Sequence, residues 1–344
     1  MVKKRILELD AFRGIAAVMV VCFHYVLGTE FKDTIFKVGG TGVDLFYIIS
    51  GYVILMTVER AKGWKDFVLS RFSRLYPTFW AALLFTSTLY LIFKKDELTA
   101  KIFAGNITMI PHILGIPEVD NSYWSLAVEF IFYVLITVAL ITRQIKNIEW
   151  WVAAGLLFIF SFHFVSPLIN IDYLLFKISY RIEFLNQAPL FFAGIIFYKM
   201  HNEKPTILRH LLVLCSLVLM FTLHPKGRML PHISFQEHLI MLGIYFTMFY
   251  LFVYGLIGWI INGITLFLGK ISYSLYLIHQ YFSIRIIIPY LRDVLHLSHA
   301  IACVVSFAIV IATAGVFAYY IEFPLHEKVR AALKRYTNKP AKAG

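Results

Sequence analysis

The sequence predicts an all-α fold: a polytopic membrane bundle of about ten spanning helices, with both termini in the cytoplasm. Two observations predict it. Hydrophobic residues make up 60% of the 344-residue chain and charged ones 15%, against about 45–50% and about 25% in ordinary globular domains. A chain of this size has too little interior to hide that much apolar surface from water. The apolar residues also come in runs close to the ~20 residues that a helix needs to cross a bilayer. The same composition excludes intrinsic disorder and a disulfide-stapled secreted scaffold. Cys22, Cys215 and Cys303 are odd in number and lie inside apolar runs, as small core side chains do. A net charge of +12 would suggest nucleic acid in a soluble protein. Here the basic residues fall mainly between the apolar runs, where they orient a membrane protein, so no nucleic-acid partner is expected.

The runs cover residues 9–28, 39–58, 76–93, 124–142, 149–165, 182–199, 208–223, 238–257, 263–288 and 300–321. The first follows Lys3-Lys4-Arg5 in the manner of a signal peptide. Asp10 and Arg13 interrupt it and no small-residue cleavage site follows Gly28, so it reads as an uncleaved first helix. The second follows Gly39, Gly40 and Gly42, which suit close helix packing as well as a loose phosphate-cradling turn. The third starts at Pro77, a residue tolerated in a first turn. The breaks at 95–122 and 166–181 are the longest, with room for interfacial or re-entrant pieces. With the N-terminus inside, Lys and Arg on the cytoplasmic segments outnumber those opposite roughly two to one, which sets the orientation. Residues 1–326 read as one transmembrane domain and 327–344 as a short basic tail suited to anionic lipid. With no soluble domain in view, any chemistry is expected inside the bundle.

Ionisable side chains within a membrane span are costly and mark function by default. Arg13 and His24 are eleven residues apart, about 1100° of rotation, so they lie within about 20° of one helix face and about 16 Å apart along it. Arg13 also suits a snorkelling anchor, and His24 a hydrogen-bonded structural histidine. If the first two helices form a hairpin, Asp44 lies at the depth of His24, where a carboxylate would fix the imidazole's tautomer as in hydrolase triads; a polar interfacial cap is the alternative. Glu129, five residues into the helix opened by Trp124, falls near the same depth. Tyr276 and His279 share a face one turn apart, again in the outer half. Glu322, at the inner end of the last helix, suits an ion pair or an acceptor contact. Arg71 and Arg74, three apart, present guanidinium forks suited to phosphates, although positive-inside decoration produces the same pattern. No His or carboxylate pair has ligand spacing, so no metal is expected.

Five segments, in order, are LDAFRGIAAVMVVCFHY (9–25), GVDLFYIISGYVI (42–54), RFSRLYP (71–77), SYWSLAVEFIFYVL (122–135) and ISYSLYLIHQYF (271–282). Together they resemble the acyltransferase 3 family of integral-membrane acyltransferases, over residues 5 to about 326. The resemblance implies transfer of an acyl group, usually acetyl from acetyl-CoA, to a hydroxyl of a surface polysaccharide or glycosylated metabolite at the bacterial inner (cytoplasmic) membrane. The family's arginine–histidine pattern falls on Arg13 and His24, its Arg-x-x-Arg on Arg71 and Arg74, its second-helix aspartate on Asp44, and its Trp-Ser-Leu…Glu stretch on Trp124 and Glu129. Ala11 stands where many members have glycine, and Phe130 where many have a second carboxylate.

The implied partners are acyl-CoA, a carbohydrate acceptor and membrane lipid; the oligomeric state stays open. The catalytic candidates are His24, Asp44 and Glu129. Arg13, Arg71 and Arg74 are the candidates for CoA. Trp124, Tyr276, His279 and Glu322 are the candidates for the acceptor. His24 serves as general base on the acceptor hydroxyl, or carries the acyl group covalently. A sugar transporter or a membrane scaffold with inactive polar residues is the competing class; a transporter has no need of a nucleotide clamp and would show inverted repeats, which the sequence does not.

Overall fold

The computed structural model describes residues 5–94, 97–165, 182–226 and 232–337. Every regular element among them is helical. In chain order these are α1 (Leu7–Val26), a 3₁₀ turn (Ile35–Thr41) leading into α2 (Gly42–Arg60), α3 (Trp64–Phe93), the short α4 (Ala100–Ile107), α5 (Trp124–Ile141) and α6 (Ile148–Phe160). There follow α7 (Phe184–Asn202), α8 (Ile207–Leu223), α9 (Phe235–Val253), α10 (Gly263–Gln280), α11 (His299–Phe317) and α12 (Phe323–Thr337). Among the described residues, eight helical segments are long and apolar enough to cross a membrane. The predicted spans at 182–199 and 263–288 also form helices, α7 and α10, but are less apolar. Their polar side chains, Asn186, Gln187, Ser272, Ser274 and His279, are buried against other helices instead of facing lipid. The break at 95–122 holds α4 and an irregular strap, tied down where Asn106 bonds the Pro117 carbonyl at 2.9 Å and the Val119 amide at 3.0 Å. The break at 166–181 lies outside the described residues.

Two glycine-mediated crossings fix the centre. Gly14 of α1 and Gly269 of α10 face each other so closely that a methyl group on Gly14 would sit 2.7 Å from the Gly269 amide nitrogen. Gly51 of α2 and Gly194 of α7 make the second crossing, where any side chain would overlap the Phe191 or Ile48 carbonyl. Small residues let backbones approach in this way where lipid supplies no hydrophobic drive. Gly39 and Gly42 pack on the α1 backbone at Met19 and Ala16, so these glycines serve packing and make no phosphate turn.

The third helix departs from the sequence reading. It begins at Trp64 and carries Pro77 inside it, which places Arg71 and Arg74 on a helix and not in a loop. Proline lacks the N–H that would bond the carbonyl four residues earlier. That carbonyl, on Ser73, accepts instead from Nδ1–H of His326 in α12 at 2.9 Å. The Leu75 carbonyl accepts from the Tyr273 hydroxyl of α10 at 3.0 Å. The helix around Pro77 is thus tied by donors from two other helices. One of them, α12, is the element into which the predicted tail folds up to Thr337.

Candidate active site

At the end of the bundle holding the α2–α3 turn and α12, a cavity of about 1000 Å³ opens between these elements. Arg60, Lys62, Lys65, Arg71, Arg74 and Arg330 line it, with Trp64 and His326; Asp66 is the one acidic side chain there. Behind it lies a narrow cavity of about 100 Å³, lined by Arg13, Arg71 and Arg74 with Ser50, Ser125, Glu129, Tyr133, Tyr273 and Tyr276. Arg71 and Arg74 line both. One turn apart on α3, they stand at the throat between a wide basic mouth and a polar pocket in the helix core. Arg71 keeps a donor in reserve: its Nε is buried with no hydrogen-bond partner among the described residues, while its Nη2 lies 3.4 Å from the Ser70 hydroxyl and its guanidinium also interacts with the Tyr133 side chain. Arg13 is 4.0 Å from Asp10, whose other oxygen is held by Arg5.

Glu322, a candidate for the acceptor or for an ion pair, is found in an ion pair with Arg74. Its carboxylate is fully buried, one oxygen taking Arg74 Nη1 at 2.5 Å and the other the Ser274 hydroxyl at 2.6 Å. Each oxygen already has a donor within the bundle, so the carboxylate is placed to position Arg74.

Glu129 is found among the arginines and not beside His24. Its Oε1 accepts from Ser50 at 2.7 Å and from Tyr133 at 2.5 Å. Ser122 and Tyr123, just before α5, are already buried, so this helix starts inside the bundle. Trp124 points the other way, into a small pocket with His112 and Glu183, apart from Tyr276.

Asp44 has a partner other than His24. Asp44 Oδ2 lies 3.1 Å from Nε2 of His238, whose Nδ1 lies 2.8 Å from Nδ1 of His224; all three residues are buried. The hairpin does bring Asp44 to a useful depth, but rotation decides its direction. Gly42 faces α1, and two residues further on a helix turns by about 200°, which aims Asp44 at α9.

His24 has a different neighbour. Its ring centroid is 5.2 Å from that of His279, with the planes tilted by 42°, and its Nδ1 is buried with no hydrogen-bond partner among the described residues. His279 is fully buried and its Nδ1 lies 2.9 Å from the Tyr276 carbonyl. Tyr276 connects this pair to the narrow cavity, which it lines; its hydroxyl meets Ser125 at 2.5 Å and the Ser122 carbonyl at 2.9 Å. Sequence reasoning missed Asp120, which accepts from Ser122 and, through Oδ2, from the Tyr281 amide at 2.9 Å. Tyr281 opens a π-helical stretch, Tyr281–Ile287, directly after α10; such turns leave backbone donors free and occur often at functional sites. His232, in the α8–α9 connection, stacks edge-on to Phe23 at 5.4 Å, and burial holds its imidazole below the ordinary histidine value. Among the described residues no group of three or more His, Cys, Asp or Glu is arranged to hold a metal.

An O-acetyl transferase of Shigella phage Sf6 is 26% identical over 44% of this chain and 50% of its own. A peptidoglycan O-acetyltransferase of Listeria monocytogenes is 26% identical over 39% of this chain and 24% of its own. An acyltransferase of Streptomyces mycarofaciens is 27% identical over 44% of each. The matched regions thus span half or less of these relatives. No solved structure matches the chain. The family model of the acyltransferase 3 domain, described as an acyltransferase domain, matches residues 6–321, and the chain belongs to that family.

Proposed function

We propose that the protein is a membrane O-acyltransferase that moves an acyl group, acetyl in the simplest case, from acyl-CoA to a sugar hydroxyl of a surface glycan or glycosylated metabolite. One observation carries the reading: Arg71 and Arg74 line both the wide basic mouth and the narrow polar cavity behind it. A transporter's pathway needs no such throat. A phosphorylated carrier with a long thioester arm does, since its phosphates stay at the mouth while its reactive end enters the core.

Arg71, Arg74 and Arg13 hold the CoA phosphates and the throat through charge-assisted hydrogen bonds. Arg60, Lys62, Lys65 and Arg330 extend the positive field outward over the mouth. The pantetheine arm follows the α1 face from Arg13 toward His24. There His24 either takes the proton of the acceptor hydroxyl or accepts the acyl group on its ring and passes it on; general base catalysis of this kind supplies about 10²–10⁴-fold. The basic residues on the mouth side support a reading in which that side and both termini face the cytoplasm, with the protein in the cytoplasmic membrane.

The test is thiol release from acetyl-CoA by detergent-purified protein, with and without a glycan extract, for wild type and His24→Ala. Acceptor-dependent release lost in the variant is the expected result. Equal rates for the two proteins would refute the assignment of His24.

A further inference from the structure

The acyl-transfer reading uses one histidine, yet the structure places two at the same point, and the second is the better defined. His279 is fully buried in the last turn of α10. Its Nδ1 sits 2.9 Å from the Tyr276 carbonyl. A carbonyl only accepts, so Nδ1 carries the proton and the neutral ring presents a bare lone pair at Nε2. That Nε2 is buried and has no hydrogen-bond partner among the described residues. The adjacent ring, 5.2 Å away, is His24, with an unpartnered buried Nδ1 of its own. Unpaired buried polar atoms are rare because each costs about 1–3 kcal/mol. Two in neighbouring rings are what a hydroxyl group, donor and acceptor at once, would satisfy.

The surroundings hold His279 in this state. Tyr276 supplies the carbonyl that fixes the tautomer and, through its side chain, the wall of the arginine-lined cavity. The Tyr281 amide, two residues beyond His279, is fixed by the buried carboxylate of Asp120, which is near enough to His279 to act on its charge.

We propose that His279 Nε2 is the base that takes the proton from the acceptor hydroxyl, leaving His24 to act on the acyl donor. This deepens the acyl-transfer reading and rests on it. As the acceptor O–H proton moves to Nε2, the oxygen forms a bond to the acyl carbon. The carbon–sulfur bond of the thioester breaks, and the sulfur leaves as thiolate. The proton held by the imidazolium then neutralises that thiolate, giving CoA-SH and the ester with His279 restored.

Asparagine separates the two nitrogens of His279, because its amide keeps a donor near the Nδ1 position and has nothing at Nε2. Purified wild type, His279→Asn and His279→Ala are compared for CoA binding by calorimetry. They are then compared for acceptor-dependent thiol release from acetyl-CoA with a cell-wall glycan digest. His279→Asn is expected to bind CoA within about threefold of wild type and to lose about 10²–10⁴-fold in kcat with little change in KM for acetyl-CoA. Added imidazole is expected to restore part of the activity of His279→Ala, which a packing role would not allow. A kcat for His279→Asn within about threefold of wild type, or no rescue of a folded His279→Ala, overturns the proposal. Wild type that neither binds CoA nor releases thiol overturns the acyl-transfer reading, and this inference with it.

Discussion

Replacing Glu322 by alanine tests how the arginine throat is held. The carboxylate is wholly buried and shared between Arg74 at 2.5 Å and Ser274 at 2.6 Å. Removing one member of a buried ion pair costs about 3–5 kcal/mol, because the other charge is left uncompensated. The Arg74 side chain is 31% exposed, so the lower end, about 3 kcal/mol, applies. Orphaning the Ser274 hydroxyl adds about 1 kcal/mol. The sum, about 4 kcal/mol, corresponds to a fall of about 8 °C at roughly 2 °C per kcal/mol. Thermal unfolding in detergent, followed by the monodisperse peak on size exclusion, reads this directly. The double variant Arg74→Met/Glu322→Met should regain most of the loss, since the pair is then removed together. A Glu322→Ala melting temperature within about 2 °C of wild type, or a double variant no better than the single, would refute the reasoning.

Other outcomes follow from the same geometry. Gly269→Val should prevent folding or cost well over the usual ~1–3 kcal/mol of an overpacked site, because its side chain would overlap the Asp10 carbonyl; normal expression and melting would contradict the α1–α10 crossing. Arg71→Ala should raise KM for acetyl-CoA about 10–100-fold, the worth of one or two charged hydrogen bonds, with Arg71→Lys in between; unchanged KM in both would remove Arg71 from the donor site. Asp44→Ala should act mainly on stability, about 1–3 kcal/mol, because its partner is His238; a loss of kcat as large as that of His24→Ala would restore a catalytic role. The α7–α8 connection gives a pH signature. Burial of Glu203 opposes its ionisation, but hydrogen bonds from Lys199 and Arg209 outweigh this and hold its carboxyl below the ordinary value. A lowered folded pKa contributes stability above the unfolded value near 4.3 and loses it as pH falls through that range. Melting temperature should therefore decline less steeply between about pH 5 and pH 3 in Glu203→Gln than in wild type; parallel curves would argue against the pair.

Composition and run length sufficed for the fold class, because lipid requires long apolar helices and the chain shows them. Boundaries were harder where tertiary donors rescue a break. Pro77 reads locally as a helix start, and only His326, 249 residues downstream of it, explains why the helix runs through. At the site, periodicity correctly put Arg71 with Arg74 and Tyr276 with His279, since each pair lies on one helix. Depth alone did less well. It placed Asp44 level with His24 but carried no information on rotation, and the two glycines facing α1 were the available clue. The partner of His24 was in hand as His279, but the lone sequence offers no sign that α1 and α10 cross at Gly14 and Gly269. His224, His238 and Asp120 lay outside the recognised segments, and their burial depends on contacts that no local pattern encodes.

The arginine throat is also an electrical insulator. A membrane potential drives each elementary charge with about 2.3 kcal/mol per 100 mV, so a polar channel into a helix bundle risks leaking protons or sodium ions. Fixed cations at a constriction repel such ions, as in pores that must pass one solute and stop protons. Arg13, Arg71 and Arg74 stand at the narrow cavity of this bundle. On the acyl-CoA reading, the charges that attract the polyanionic donor would at the same time repel small cations while the core is open to it.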